Sequence, residues 1–369
     1  MITFLQGNCL DKIQELDDNS IDCVVSSPPY FGLRDYGTAQ WQGGDPNCDH
    51  LGKPQPTRSN IHDRTQPQCN NKKDVNVREF FKDICKKCGA KRIDEQFGLE
   101  KTYEDYIANT VKVFETFKPK LKDTATIWWN IGDSYNNKPS GNKDLKKSSG
   151  LPNTKENLHK RKDNISKILV KNLKVKDLMM IPNRVAIALQ DAGWYIRSEI
   201  IWHKPNPMPE SIKDRPTSCH EKIWLITKNK KYYYDADAIK EPLAVSSIPR
   251  LNQNIKNQKG SARANAGRKT NGNLKAVGNL EKRNKRNVWT ITTKPFKEAH
   301  FATFPKDLIE PCIKSGCPEG GVVLDPFGGS GTTAIVSKHL KRKAILIELN
   351  KEYIAIAKKR INKEFGFFK

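Results

Sequence analysis

One segment near the carboxyl end constrains this chain more than any other: Gly321-Val-Val-Leu-Asp325, followed at once by Pro326-Phe327-Gly328-Gly329-Ser330-Gly331-Thr332. A short apolar strand reads into a glycine-rich turn. A helix is expected over residues 332–340 and a second strand over 344–347, ending at Glu348. Strand, glycine turn, helix and strand in such quick succession form a βαβ unit, which places two parallel strands in one sheet. The glycines let the backbone turn sharply and approach a ligand where a Cβ would collide. Glu348 stands 23 residues beyond Asp325, at the strand tip where a carboxylate accepts hydrogen bonds from ribose hydroxyls. The spacing is G-G-x-G rather than G-x-G-x-x-G, and no Gly-Lys-Thr/Ser follows. Neither a dinucleotide fingerprint nor a P-loop is therefore read. Without a phosphate-binding lysine, a nucleoside carrying an amino-acid tail suits the loop better than a nucleotide. An ordinary strand-to-helix turn is the plain alternative.

The rest of the chain continues the alternation. Residues 2–5 and 21–25 read as strands with a helical stretch, 9–16, between them. Residues 102–117 place Tyr103, Tyr106, Ile107, Thr110, Val113 and Phe114 on one helical face. Strands are expected at 124–130, 194–203 and 222–228, and helices at 178–192, 304–314 and 351–362. This order predicts an α/β fold: a doubly wound, Rossmann-like parallel sheet covered on both faces. Its core comprises 1–40, 99–134, 177–235 and 295–369, interrupted by an irregular insertion at 41–98 and two basic ones at 135–176 and 236–294.

Charge singles out those basic stretches. The 369 residues carry a net charge of +24. Residues 135–176 hold 12 Lys and Arg against 3 Asp and Glu, and residues 241–290 hold 11 against 2. Both are rich in Asn, Ser and Gly and too poor in apolar residues to build a core alone. They read either as solvated insertions or as a surface for phosphates and base edges, which makes a polyanion the first partner to test. There is no apolar run of roughly 18 residues and no charged-then-apolar leader. The expectation is a cytoplasmic protein without a membrane span.

Nine cysteines, an odd number unevenly spread, argue for reduced thiols rather than a disulfide scaffold. Cys48-x-His50 and Cys85-x-x-Cys88 supply four soft ligands, and Gly89 relieves the turn after the last thiolate. The pattern suits a structural zinc that holds a polar stretch unable to fold by itself. Cys69 and His62 are rival ligands, and incidental thiols are the alternative. A closed four-ligand site leaves the metal no catalytic position.

The second chemical motif is Ser27-Pro28-Pro29-Tyr30, at the carboxyl end of a strand. Two prolines fix φ and remove two N–H groups, leaving carbonyls as acceptors. Ser27 Oγ and the Pro28 carbonyl suit an exocyclic amine, while the Tyr30 ring suits a planar base. On this reading the Tyr30 hydroxyl is dispensable. Alone, the motif is equally a tight structural turn.

Together the two loops resemble the amino-group DNA methyltransferases that use S-adenosylmethionine. The order is similar to their permuted β group: catalytic loop first, cofactor loop last, basic region between. Further segments extend the resemblance: G-N-C-L-D-K-I near the start, N-I-G-D-S-Y at 130–135 and H-F-A-T-F-P-K-D-L-I-E at 300–310. Where the family usually carries Gly-Asp beside the cofactor's adenine, this chain has Gly7-Asn8, and an Asn carbonyl accepts from an adenine amine as well. The resemblance implies that Asn8, Phe304, Asp325, Pro326, Phe327, Gly328, Gly329, Ser330, Gly331 and Thr332 line the cofactor site, with Glu348 on its ribose. It assigns Ser27, Pro28, Pro29 and Tyr30 to a flipped-out base. Double-stranded DNA is the implied partner; a cognate restriction endonuclease and a homodimer are open possibilities of the same resemblance. Ser27 leans toward cytosine N4 as target, with adenine N6 second. A catalytically inactive DNA-binding module is the reading from another class, and it would require a broken glycine loop.

Overall fold

Eight strands make the central sheet: β1 (Ile2–Gln6), β2 (Ile21–Ser26), β3 (Leu121–Ile131), β4 (Tyr195–His203), β5 (His220–Thr227), β6 (Val288–Thr290), β7 (Val322–Asp325) and β8 (Lys343–Glu348). They lie in the order β1-β8-β7-β2-β3-β5-β4-β6. This computed structural model describes residues 1–34, 36, 38–51, 55–57, 75–77, 83–136, 172–243, 245, 282–294 and 303–366. Most of both basic stretches, Cys69, His62 and residues 300–302 lie outside them.

The expected α/β architecture is present, with two corrections. All neighbours pair in parallel except at β5, which runs antiparallel to both β3 and β4. The cause is the link between β4 and β5. Residues 204–219 (KPNPMPESIKDRPTSC) contain four prolines and form no helix. Without a crossover helix the chain returns directly, and a direct return gives an antiparallel neighbour. A second correction concerns 236–294, read above as lying outside the core. Its last part supplies edge strand β6, with Trp289 buried.

Among the described residues six α-helices wind over both faces: α1 (Cys9–Gln14), α2 (Tyr103–Phe117), α3 (Ile181–Asp191), α4 (Lys306–Gly316), α5 (Thr332–His339) and α6 (Lys351–Phe365). On one face Ile13, Tyr106, Phe114, Phe117, Ile181 and Leu189 close over Ile127, Trp129 and Ile131 of β3. On the other, Leu308, Ile309 and Ile313 of α4 cover Cys23, Val25 and Trp128, while Ala334, Ile335 and Ile361 cover Ala344 and Leu346. Each Leu, Ile, Val or Phe side chain among them taken from water contributes about 1.5–3 kcal/mol. Local signals set the helix starts. Thr102 Oγ1 accepts from Asp105 N at 3.1 Å, and Glu104 and Asp105 favour the positive end of α2.

By its contacts the chain divides into two units, residues 1–34 with 97–369, and residues 35–96. The second unit contains the strand pair Gln40–Gln42 with Lys91–Ile93 and the cysteines of the Cys/His cluster. No helix among the described residues is long and apolar enough to cross a membrane.

Candidate active site

β2 and β7 are neighbours, and both loops singled out in the sequence leave from their carboxyl ends. Ser26, the last residue of β2, donates from Oγ to Asp325 Oδ1 at 2.6 Å, across 299 residues of sequence. Asp325 is 1% exposed and also accepts from Thr333 Oγ1 at 2.6 Å and Phe327 N at 3.1 Å. One carboxylate thus fastens β2, the glycine loop and α5 together. Burial lifts its pKa to about 6, against the pull of those donors.

The three glycines serve different ends. A Cβ on Gly328 would lie 2.8 Å from Leu346 Cβ, and one on Gly331 2.8 Å from Ala357 Cβ, so both admit close packing by β8 and α6. Gly329, at φ +48°, would direct its Cβ into open space, with Phe327 O the nearest atom at 3.9 Å. Its N–H donates to Glu348 Oε2 at 2.8 Å, while Asn350 N donates to Oε1 at 2.8 Å. Burial raises the Glu348 pKa above the usual carboxylate range. Ser330 and Thr332 turn toward α6, where Arg360 donates to their hydroxyls at 2.6 and 3.2 Å. Pro326 is buried beneath the turn, and the Phe327 ring packs against Phe97 and Trp129 at 5.2 and 6.0 Å. Asn8 caps α1, accepting from Leu10 N at 3.0 Å, and Gly7 N reaches the Glu348 carbonyl at 3.0 Å. Phe304, just ahead of α4, packs against the apolar cluster on that face.

The other loop is held as firmly. The Pro29 carbonyl accepts from Tyr106 Oη at 3.2 Å, whereas nothing among the described residues donates to the Pro28 carbonyl. The Tyr30 ring lies along Gly132, where a Cβ would come within 2.6 Å of Cε2. Its hydroxyl is not idle, which corrects the sequence expectation. Tyr30 Oη donates to Glu221 Oε2 at 2.7 Å and accepts from Ser27 Oγ at 3.2 Å and from Asn130 Nδ2. Asn130 Nδ2 also reaches Glu221 Oε2 at 2.9 Å, and Lys204 Nζ pairs with Glu221 Oε1. Burial, reinforced by the Glu221 charge, drives the Tyr30 phenol well above its ordinary pKa, so it remains a donor.

Glu221, Lys204 and Asn130 were not assigned roles from sequence. The available signal was a Lys and a Glu flanking a proline-rich link between two strands, which a direct return brings opposite each other. Asp133, from the same N-I-G-D segment as Asn130, accepts from Ser134 N at 2.9 Å and Ile181 N at 3.1 Å, and so seats the start of α3.

In the second unit, the candidate ligand atoms of Cys48, His50, Cys85 and Cys88 all lie within 4.8 Å of one another. The Cys48 and Cys85 sulfurs are 3.8 Å apart, and Cys88 Sγ is 3.5 Å from His50 Nδ1. A tetrahedron with Zn–S bonds of about 2.3 Å has edges of about 3.8 Å. The donor set and its spacing fit zinc. Gly89, at φ +75°, turns the chain after Cys88, and Trp41 stacks on His50 at 4.4 Å. Backbone amides, that of Ala90 first, lower the Cys88 thiol to about 6 and favour the ligating thiolate.

The described part of the second basic stretch is partly neutralised. Arg283, Lys285 and Arg286 surround Glu241 at 3.5, 3.4 and 3.6 Å.

Residues 21–359 match the family described as DNA methylase. The chain is 36% identical over 358 residues to Type II methyltransferase M.SmaI of Serratia marcescens, covering 96% of this chain and 89% of that one. Identity to Type II methyltransferase M.Cfr9I of Citrobacter freundii is also 36%, over 362 residues, covering 98% and 88%. The fold is similar to that of the PvuII DNA methyltransferase (cytosine-N4-specific), with a TM-score of 0.53 at 15% identity, covering 99% of this chain and 91% of that one. With the S-P-P-Y loop and the glycine loop joined at neighbouring strand ends, and with relatives alike over nearly its whole length, this chain belongs to the DNA methylase family of amino-group methyltransferases.

Proposed function

We propose that the protein is a site-specific DNA methyltransferase that moves a methyl group from S-adenosylmethionine to the N4 amine of a flipped-out cytosine. The observation that carries this reading is the 2.6 Å bond between Ser26 and Asp325, which sets the S-P-P-Y loop beside the glycine loop. The cofactor fits the residues present. Gly329 leaves a cradle that a side chain would fill, and the carboxylate of Glu348 stands next to it for a ribose. When bound, the cofactor supplies an electrophilic methyl on a sulfonium. The chain's own part is placement. Ser27 Oγ and the Pro28 carbonyl accept from the two amine protons, drawing the lone pair out of the ring and aiming it along the transfer line. Tyr30 supplies the platform for the base. Ser27 favours cytosine over adenine, and the PvuII enzyme, which shares the fold, is cytosine-N4-specific. Sequencing DNA from a host expressing the protein, with chemistry that separates N4-methylcytosine from N6-methyladenine, tests this. Methyl on adenine overturns the base assignment, and unmodified DNA overturns the reaction.

Two further parts accompany this reading. Zinc on Cys48, His50, Cys85 and Cys88 holds residues 35–96 in shape and takes no part in chemistry. The expected metal content is about one zinc per chain, as four ligands in a tetrahedral site require. Because the relatives are Type II methyltransferases, the modified DNA in the cytoplasm would resist a cognate endonuclease. Digestion of plasmid from expressing cells checks that directly.

A further inference from the structure

A hydrogen-bond chain leads from the S-P-P-Y loop to the antiparallel strand: Ser27 Oγ to Tyr30 Oη at 3.2 Å, and Tyr30 Oη to Glu221 Oε2 at 2.7 Å. Its direction is fixed at the far end. A carboxylate only accepts, so Tyr30 must point its single proton at Glu221. The Tyr30 oxygen is then an acceptor toward Ser27, and the Ser27 proton points back at Tyr30. Asn130 enforces the same polarity. Its Nδ2 lies within hydrogen-bond reach of Ser27, Tyr30 and Glu221 and has two protons to share among those three acceptors, while its Oδ1, buried, has no partner among the described residues.

From this wiring we infer that Glu221 is a positioning residue which, through Tyr30, makes Ser27 an acceptor-only group and so selects a target atom that bears N–H. An exocyclic amine satisfies such a site, and a carbonyl oxygen at the same place, as in uracil, does not. The inference rests on the proposed function in one respect, that Ser27 faces the target base. Lys204 belongs to the device. Paired with Oε1, it leaves Oε2 as the atom that meets Tyr30.

Glu221→Gln tests this with almost no change of shape. Facing Lys204, the new amide turns its carbonyl to the ammonium and its NH2 to Tyr30. The chain then reverses, and Ser27 presents a proton to the amine. The single-turnover methylation rate is expected to fall about 10²-fold, the scale of losing one aligned group at a reacting centre. Affinity for S-adenosylmethionine by calorimetry should stay within about twofold, because the hydrogen bonds and ion pair of Glu221 among the described residues go to Tyr30, Asn130 and Lys204 and not to the glycine loop. Adding Lys204→Met frees the amide to offer its carbonyl to Tyr30, and the double variant should regain at least about tenfold in rate. A Glu221 with a purely structural role predicts a double variant no faster than the single one. Parental rates for Glu221→Gln, or a double variant that recovers nothing, would overturn the inference. A parental protein that transfers no methyl to DNA would instead overturn the proposed function.

Discussion

Removing the Tyr30 hydroxyl deprives Glu221 and Asn130, both within the site, of a shared partner. Asn130 and Glu221 keep their bond to each other, but the link from Ser27 to Glu221 is broken. A hydrogen bond to a charged group is worth about 1.5–3 kcal/mol, so Tyr30→Phe should slow single-turnover methylation by roughly tenfold or more while keeping the ring. Ser27→Ala should cost about 10²–10³ in the same assay with cofactor affinity unchanged. Asp325 makes a different prediction. Its pKa of about 6 in the folded protein lies above the ordinary carboxylate value, so the folded state holds the proton more tightly. Its contribution to stability is therefore full below about pH 4 and lost as pH rises through about 6, on the order of 2–3 kcal/mol in all. In cofactor-free protein, Asp325→Asn should flatten that part of the curve of unfolding free energy against pH. Ser27 and Asp325 were legible because each stands at a strand end beside a proline, and Glu348 because it closes the second strand of the βαβ unit. Glu221 was not, since it meets Tyr30 across 191 residues and only through the antiparallel register of β5.

The glycine loop separates folding from binding when its positions are compared. Gly331→Ala combines a left-handed backbone at φ +79° with a 2.8 Å approach to Ala357 and should lower stability by about 2–4 kcal/mol in denaturant unfolding. Gly329→Ala carries only the backbone cost of about 1–2 kcal/mol, and its loss should appear chiefly as weaker S-adenosylmethionine binding in calorimetry. Equal affinity in Gly329→Ala and parental protein would show that this cradle is not used. The alternation of apolar strands and helical faces was enough to place the βαβ unit and the helices. It could not give the direction of β5, because alternation along a strand is the same read either way. Only the missing helix between β4 and β5 carried that information. The edge strand β6 escaped notice because three residues in a basic, Asn-rich context offer no pattern to read.

For the whole molecule, a net charge of +24 makes DNA binding strongly salt-dependent, with about 0.9 in slope for each phosphate neutralised. The group Lys282, Arg283, Lys285 and Arg286 should change that slope by less than its formal charge when replaced by Gln, since Glu241 already draws on three of the four. Glu241→Gln should conversely tighten DNA binding at low salt, and unchanged affinity would show the cluster does not face DNA. The sheet order has a consequence for biosynthesis. Strand β2, buried along its whole length, lies between β3 and β7, and β7 is made almost 300 residues later. At about 5–20 residues per second the nascent chain waits roughly 15–60 s with one side of its central strand unpaired. Through that interval it is a natural client for chaperones, and synthesis that stops before β7 leaves a product without the glycine loop. Methylating capacity should therefore arise in one step per chain, when the final strands leave the ribosome.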